Sequence, residues 1–130
     1  MRSYQKTITV GEDDLDELNH VNNVRYVQWI QDISKEHWQV AVSEEVKKDI
    51  VWVVMTHHIE YKAAAKLGDE IVIKTYINKS KGAISERIVE MYFEQSDQLL
   101  IRSSTKWCLL NKESQRPIRI PKQVIDMFSK

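Results

Sequence analysis

The 130-residue sequence predicts an α+β domain in which one long amphipathic helix packs against one antiparallel sheet. Three observations carry that expectation. Val24, Val27, Ile30, Ile33, Trp38 and Ala41 recur mostly at three- and four-residue spacing, a helical stripe over about residues 22–42. Four strand-like runs follow, at 50–62, 70–79, 83–94 and 99–110, divided by short turn signals. A helix with one apolar stripe and a sheet with one apolar face each need a partner surface, and each supplies the other's.

The elements follow in order. Residues 3–10 (SYQKTITV) are β-branched and partly alternating, a short strand that ends at Gly11. A polar, acidic loop occupies 12–19. Asn22 or Asn23 caps the long helix; with Asn22 as the cap, Val21 and Tyr26 form a hydrophobic staple. Tyr26, Trp29 and Ile30 widen its stripe. A short helix at 43–49 is capped by Ser43, with Glu44 and Glu45 in its first turn and Lys47 and Lys48 in its last, as the helix dipole favours. In the second strand run Ile71, Ile73, Thr75 and Ile77 share one face. Turn signals at Leu67-Gly68-Asp69, Ser80-Lys81-Gly82 and Ser96-Asp97-Gln98 predict a meander in which consecutive strands are neighbours. Pro117 and Pro121 bracket an extended segment, and 121–130 closes the chain as a short helix.

Composition narrows the function. Lys and Arg number 19 against 19 Asp and Glu, which argues against a dedicated nucleic-acid or anionic-membrane binder. The length suits a single domain over residues 1–130. The one cysteine, Cys108, forms no internal disulfide and suits a reducing cytosol. With no apolar signal core and no run of roughly 20 apolar residues, a cytoplasmic chain without a membrane span is expected. Three glycines (Gly11, Gly68, Gly82) cannot write a phosphate-binding loop or a nucleophile elbow. No cofactor is implied. No metal site is expected either, because strand alternation puts only His58 and Glu60 of the His57-His58-Ile59-Glu60 run on one side. Catalysis therefore falls to carboxylate, imidazole or amide groups.

Those groups concentrate just before and within the start of the long helix, in Asp14-x-Asp16-x-x-x-His20-Val21-Asn22-Asn23-x-x-Tyr26-x-x-Trp29. A helix start presents unpaired N–H groups and the positive end of a dipole, a site for developing negative charge. A carboxylate on a loop folded over that end faces a carbonyl held by those amides, an arrangement for acyl transfer or hydrolysis. Read alone, Asp16 is a solvated loop acid and His20 a cap-region imidazole.

This stretch resembles the N-terminal signature of hot-dog-fold acyl thioesterases, the 4-hydroxybenzoyl-CoA thioesterase-like acyl-CoA hydrolases and the plant acyl-acyl-carrier-protein thioesterases. The resemblance covers nearly the whole chain, including the Arg116-Pro117-Ile118-Arg119-Ile120-Pro121 ending. It implies a hot-dog fold, an antiparallel sheet wrapped around one central helix. It implies that Asp16 attacks a thioester carbonyl or activates a water that does, that the amide at about Asn23 polarises the carbonyl, and that His20 matches the signature histidine. The chain departs from the plant-type pattern at Leu18, where an asparagine is usual, and at Tyr61-Lys62-Ala63-Ala64, where a glutamate follows the tyrosine. The hydroxybenzoyl-type enzymes have Pro and Gly soon after the aspartate, and this chain has Glu17, Leu18 and Asn19.

The expected substrate is an acyl-CoA or acyl carrier protein thioester. Its thiol leaves readily, with a pKa of roughly 8.5 judged from cysteine, so no strong nucleophile is demanded. Tyr26, Trp29, Lys79 and Lys81 are the candidate substrate-binding residues. Tyr26 and Trp29 read first as core or interface, and Lys79, Lys81 and Arg87 as a solvated turn that in the sharper reading meets coenzyme A phosphates. The family's sites lie between subunits, which implies a homodimer or tetramer. Two alternatives stay open: a hot-dog hydratase or dehydratase on acyl thioesters, using a paired Asp and His, and a non-catalytic acyl-CoA-binding module.

Overall fold

The computed structural model describes residues 2–129. The elements are β1 (Ser3–Thr9), α1 (Asn23–Ala41), α2 (Glu44–Lys47), β2 (Ile50–Tyr61), β3 (Glu70–Lys81), β4 (Ile84–Phe93), β5 (Leu99–Asn111) and α3 (Lys122–Met127). The five strands form one antiparallel sheet, and α1 packs across one face of it, as the periodicities require. Both helix caps fall where local chemistry puts them. The Asn22 side chain accepts from the Val24 N–H at 3.1 Å, and the Ser43 hydroxyl accepts from the Val46 N–H at 3.4 Å. The closing helix is shorter than 121–130, and Lys130 lies outside the described residues.

The strand order corrects the expected meander. It runs β1-β3-β4-β5-β2, so β2 does not pair with β3 but lies beyond β5, from Ile50↔Asn111 to Tyr61↔Ile101. The edge of β3 is taken instead by β1, from Ser3↔Tyr76 to Thr9↔Glu70. The reason is reach. Crossing three strand spacings takes about 14 Å, and the connection 62–69 spans well over 20 Å when extended. Its backbone is also engaged elsewhere, with Lys62 N–H on the Leu100 carbonyl and the Ala65 carbonyl on Val21 N–H. Hairpins do occur at β3–β4, where Gly82 adopts φ 63°, and at β4–β5, where Asp97 adopts φ 57°.

The helix-facing side of the sheet is apolar at both ends and polar in the middle. Beside the N-terminal half of α1, Ile30 and Ile33 pack with Ile71, Ile73, Val89, Met91 and Ile101. Beside its C-terminal end, Val42 packs with Leu109, Ile120, Val124 and Phe128. Between them, following the two-residue alternation of each strand, lie buried Thr75, Arg87, Ser103 and Thr105, met from the helix by buried Ser34 and His37. Arg87 is only 5% exposed, so it leaves the solvated turn in which the sequence placed it with Lys79 and Lys81. Cys108 is buried in β5.

Candidate active site

The loop before α1 is folded by its own polar side chains. Asp16 and Asn19 close a turn, with Asn19 N–H on the Asp16 carbonyl at 3.0 Å, and Asn19 takes the left-handed φ of 62° that Asn tolerates. The chain then returns antiparallel: Leu15 bridges Val21, and Asp16 N–H donates to the His20 carbonyl at 2.7 Å. Asp14 secures this return to the helix, its carbonyl accepting Asn22 N–H at 2.8 Å and its carboxylate 3.2 Å from Arg25 Nε.

Within this turn the Asp16 carboxylate is held by one oxygen. Oδ1 accepts the N–H groups of Leu18 at 2.9 Å and His20 at 3.1 Å, an Asx-type arrangement. Oδ2 has no protein donor among the described residues, so it keeps its lone pairs for another partner. Asp16 lines an open depression of about 580 Å³, together with His20, Asn23, Tyr26 and the end of β2 at Tyr61. It is the only carboxylate on that wall among the described residues.

Asn23 is the first residue of α1, and its N–H has no protein acceptor among the described residues, as the first turn of a helix requires. Its side-chain oxygen accepts the Tyr61 hydroxyl, which leaves the Asn23 amide nitrogen as a donor. Tyr26 is buried, and its hydroxyl oxygen accepts the Ala65 N–H at 3.0 Å. Burial raises the pKa of both tyrosines, so both hydroxyls keep their protons at neutral pH. The depression thus offers one carboxylate, an exposed helix-start amide, a carboxamide and a phenol.

Asp16, His20, Asn23 and Tyr26 therefore come together. Trp29 does not line the depression; it packs against the core edge-on to Tyr26, with ring centroids 5.7 Å apart. Lys79 lines a different cavity, beside the C-terminal half of α1, and Lys81 lies at the β3–β4 turn and lines neither. The His20 ring makes no hydrogen bond to Asp16; the bond between the two residues comes from the His20 backbone. Tyr61 is the member not among the candidate site residues, although the departure from the plant-type pattern at Tyr61-Lys62-Ala63-Ala64 had already singled out its position.

Residues 1–128 match the acyl-ACP thioesterase N-terminal domain. The chain belongs to the acyl-ACP thioesterase N-terminal domain family. Within a curated chloroplastic acyl-(acyl-carrier-protein) hydrolase of Cuphea viscosissima, 81 residues align at 30% identity, which is 62% of this chain and 20% of that relative's length. Among solved structures, the family member described here is similar to the probable thioesterase YbaW of Escherichia coli, with TM-score 0.89 and 20% identity over 97% of this chain and 98% of that one. It is similar also to a 12:0-ACP thioesterase of Umbellularia californica, with TM-score 0.84 and 18% identity over 96% of this chain and 49% of that one. These two likenesses carry the fold: the sheet and central helix are those of hot-dog thioesterases.

Proposed function

We propose that the chain hydrolyses an acyl thioester, with Asp16 as the reacting carboxylate. One observation carries the reading: among the described residues Asp16 is the single acid on the wall of the depression, with one oxygen tied down and the other unclaimed, beside the unpaired amide of Asn23. The thioester carbonyl takes hydrogen bonds from the start of α1, where developing oxyanion charge meets the positive end of the helix. Asp16 Oδ2 either attacks the carbonyl carbon or removes a proton from a water that does. The C–S bond breaks, the thiolate leaves and is protonated, and the free acid remains. On the nucleophilic route a mixed anhydride at Asp16 is then opened by water.

Family membership supports hydrolysis, and the absence of an Asp16–His20 side-chain pair favours it over hydration of the acyl chain. Acyl-CoA is the proposed carrier, with an acyl carrier protein thioester as the competing donor. A second copy is the proposed partner. β2 is a 12-residue edge strand whose Val53, Val54 and Met55 are exposed, which invites antiparallel pairing of two sheets. That pairing would close over an open depression whose wall includes the end of β2.

The test is thiol release from a panel of acyl-CoA and acyl carrier protein thioesters, comparing wild type with Asp16→Asn. Turnover of at least one thioester, lost in Asp16→Asn, is expected. Full activity in the variant sinks the role of Asp16, and inactivity of the wild type on every thioester sinks the function.

A further inference from the structure

The cavity along the C-terminal half of α1 shares no residue with the depression at Asp16. It measures about 550 Å³, within the roughly 300–1,000 Å³ of small-molecule sites. Trp38, Trp52, Trp107 and Phe128 supply aromatic wall. The charge on that wall has one sign. Arg2, Lys35, Lys79 and Arg87 line the cavity, and no Asp or Glu does among the described residues. Arg2, Lys35 and Lys79 are exposed and so belong to the rim, whereas Arg87 is buried and belongs to the interior.

Arg87 is held by neutral groups. Its Nη1 lies 2.8 Å from His37 Nδ1 and 3.0 Å from Thr75 Oγ1. A guanidinium only donates, so His37 Nδ1 accepts and the imidazole is the neutral form protonated on Nε2. Phe128 stacks at 5.7 Å from the guanidinium carbon. The other edge of the fork, Nε and Nη2, has no protein acceptor among the described residues, and no carboxylate lies within ion-pair distance. Burial pushes the Arg87 pKa down to about 10, which leaves it cationic at neutral pH. A buried charge without a counter-charge is costly, and Nε with Nη2 is the edge that takes a carboxylate by two parallel hydrogen bonds. Trp107 Nε1 is a second buried donor without a partner on this wall.

We propose that this cavity is a second ligand site, which takes an apolar carboxylic acid, its carboxylate on the free edge of Arg87 and its body against Trp38, Trp52 and Phe128. One interior cation matches a monocarboxylate, and the aromatic wall matches an apolar body; a phosphate dianion would meet both poorly. The rim cations steer the anion in without adding contacts at depth. The inference does not rest on hydrolysis at Asp16.

Isothermal titration of the full chain tests it, with octanoate against 1-octanol and 2-naphthoate against 2-naphthalenemethanol, in wild type, Asp16→Asn and Arg87→Met. At least one acid is expected to bind tenfold or more tighter than its alcohol, equally in wild type and Asp16→Asn, and to perturb tryptophan fluorescence. Arg87→Met should bind acid and alcohol alike. Equal binding of acid and alcohol by wild type, no binding of any probe, loss of acid binding in Asp16→Asn, or a retained acid preference in Arg87→Met overturns the proposal. Should Arg87→Met fail to fold, the acid-against-alcohol comparison on the wild-type chain decides alone.

Discussion

Asp16 sits at the start of α1 because its own carboxylate builds the turn that carries it. Oδ1 takes two backbone N–H groups, from Leu18 and His20, and this division of labour makes the Asn substitution a clean probe. An amide oxygen can still accept both bonds, so Asp16→Asn should fold with an unchanged urea midpoint. Thioester turnover should fall by about 100-fold or more, the usual contribution of a positioned acid or base. A six-residue neighbour does a different job. Asn22 caps α1, and Asn22→Ala should lower unfolding free energy by about 1 kcal/mol in urea titrations. A cap at Asn22 or Asn23 was legible in the local sequence, because capping depends on a few adjacent groups, and the fold assigns it to Asn22 with Asn23 as first helical residue. The bond from Tyr61 to Asn23 was not, since it joins positions 38 residues apart.

At the scale of the elements, α1 is divided between a buried stripe and a wet face. Ile33 has no exposed surface and Val24 is 68% exposed. Ile33→Ala should cost about 2–5 kcal/mol and Val24→Ala less than about 0.5 kcal/mol, measured by the same denaturant midpoints. Periodicity located this helix to within a residue at each end, because a 3.6-residue repeat is written in the chain itself. Strand partners are not written that way. The four strand runs were legible as runs, but the order β1-β3-β4-β5-β2 depends on which distant edge each strand meets. In β2, burial holds the His57 imidazole below its ordinary 6.5, with Nδ1 2.7 Å from Thr105 Oγ1. The folded chain therefore takes up this proton at lower pH than the unfolded one. The linked stability is present above pH 6.5 and is lost as pH falls through the folded value. An NMR titration of the His57 ring should show a midpoint below 6.5.

Across the whole molecule, a polar belt separates two apolar clusters, and Arg87 is its most expensive member. Without ligand, Arg87→Met should leave stability unchanged or raise it by about 1–4 kcal/mol, since an apolar side chain of similar length carries no desolvation cost. A destabilised variant would mean that the bonds to His37 and Thr75 outweigh burial of the charge. The exposed edge of β2 sets a second test at this scale. Met55 is 57% exposed at the irregularity between Val54 and Thr56, and a lysine there opposes edge pairing. Sedimentation should find the wild type as a dimer or tetramer and Met55→Lys shifted toward monomer, with thioester turnover falling in step if the site is shared between copies.

By itself the sequence determined what depends on neighbours along the chain: the long helix and its cap, the strand runs, the charge balance, and the acid-amide block around Asp16. Tertiary structure alone decided what depends on residues far apart in sequence. It carried β2 to the far edge of the sheet, put Tyr61 and Lys79 on separate cavities, and buried Arg87 among His37 of α1, Thr75 of β3 and Phe128, which follows α3. Arg87 was read with Lys79 and Lys81 as part of a solvated turn; in the fold it shares the inward face with Ser85, Val89 and Met91, and period two says only which side a residue takes. Whether that side holds water, a carboxylate or neither is settled by what packs against it.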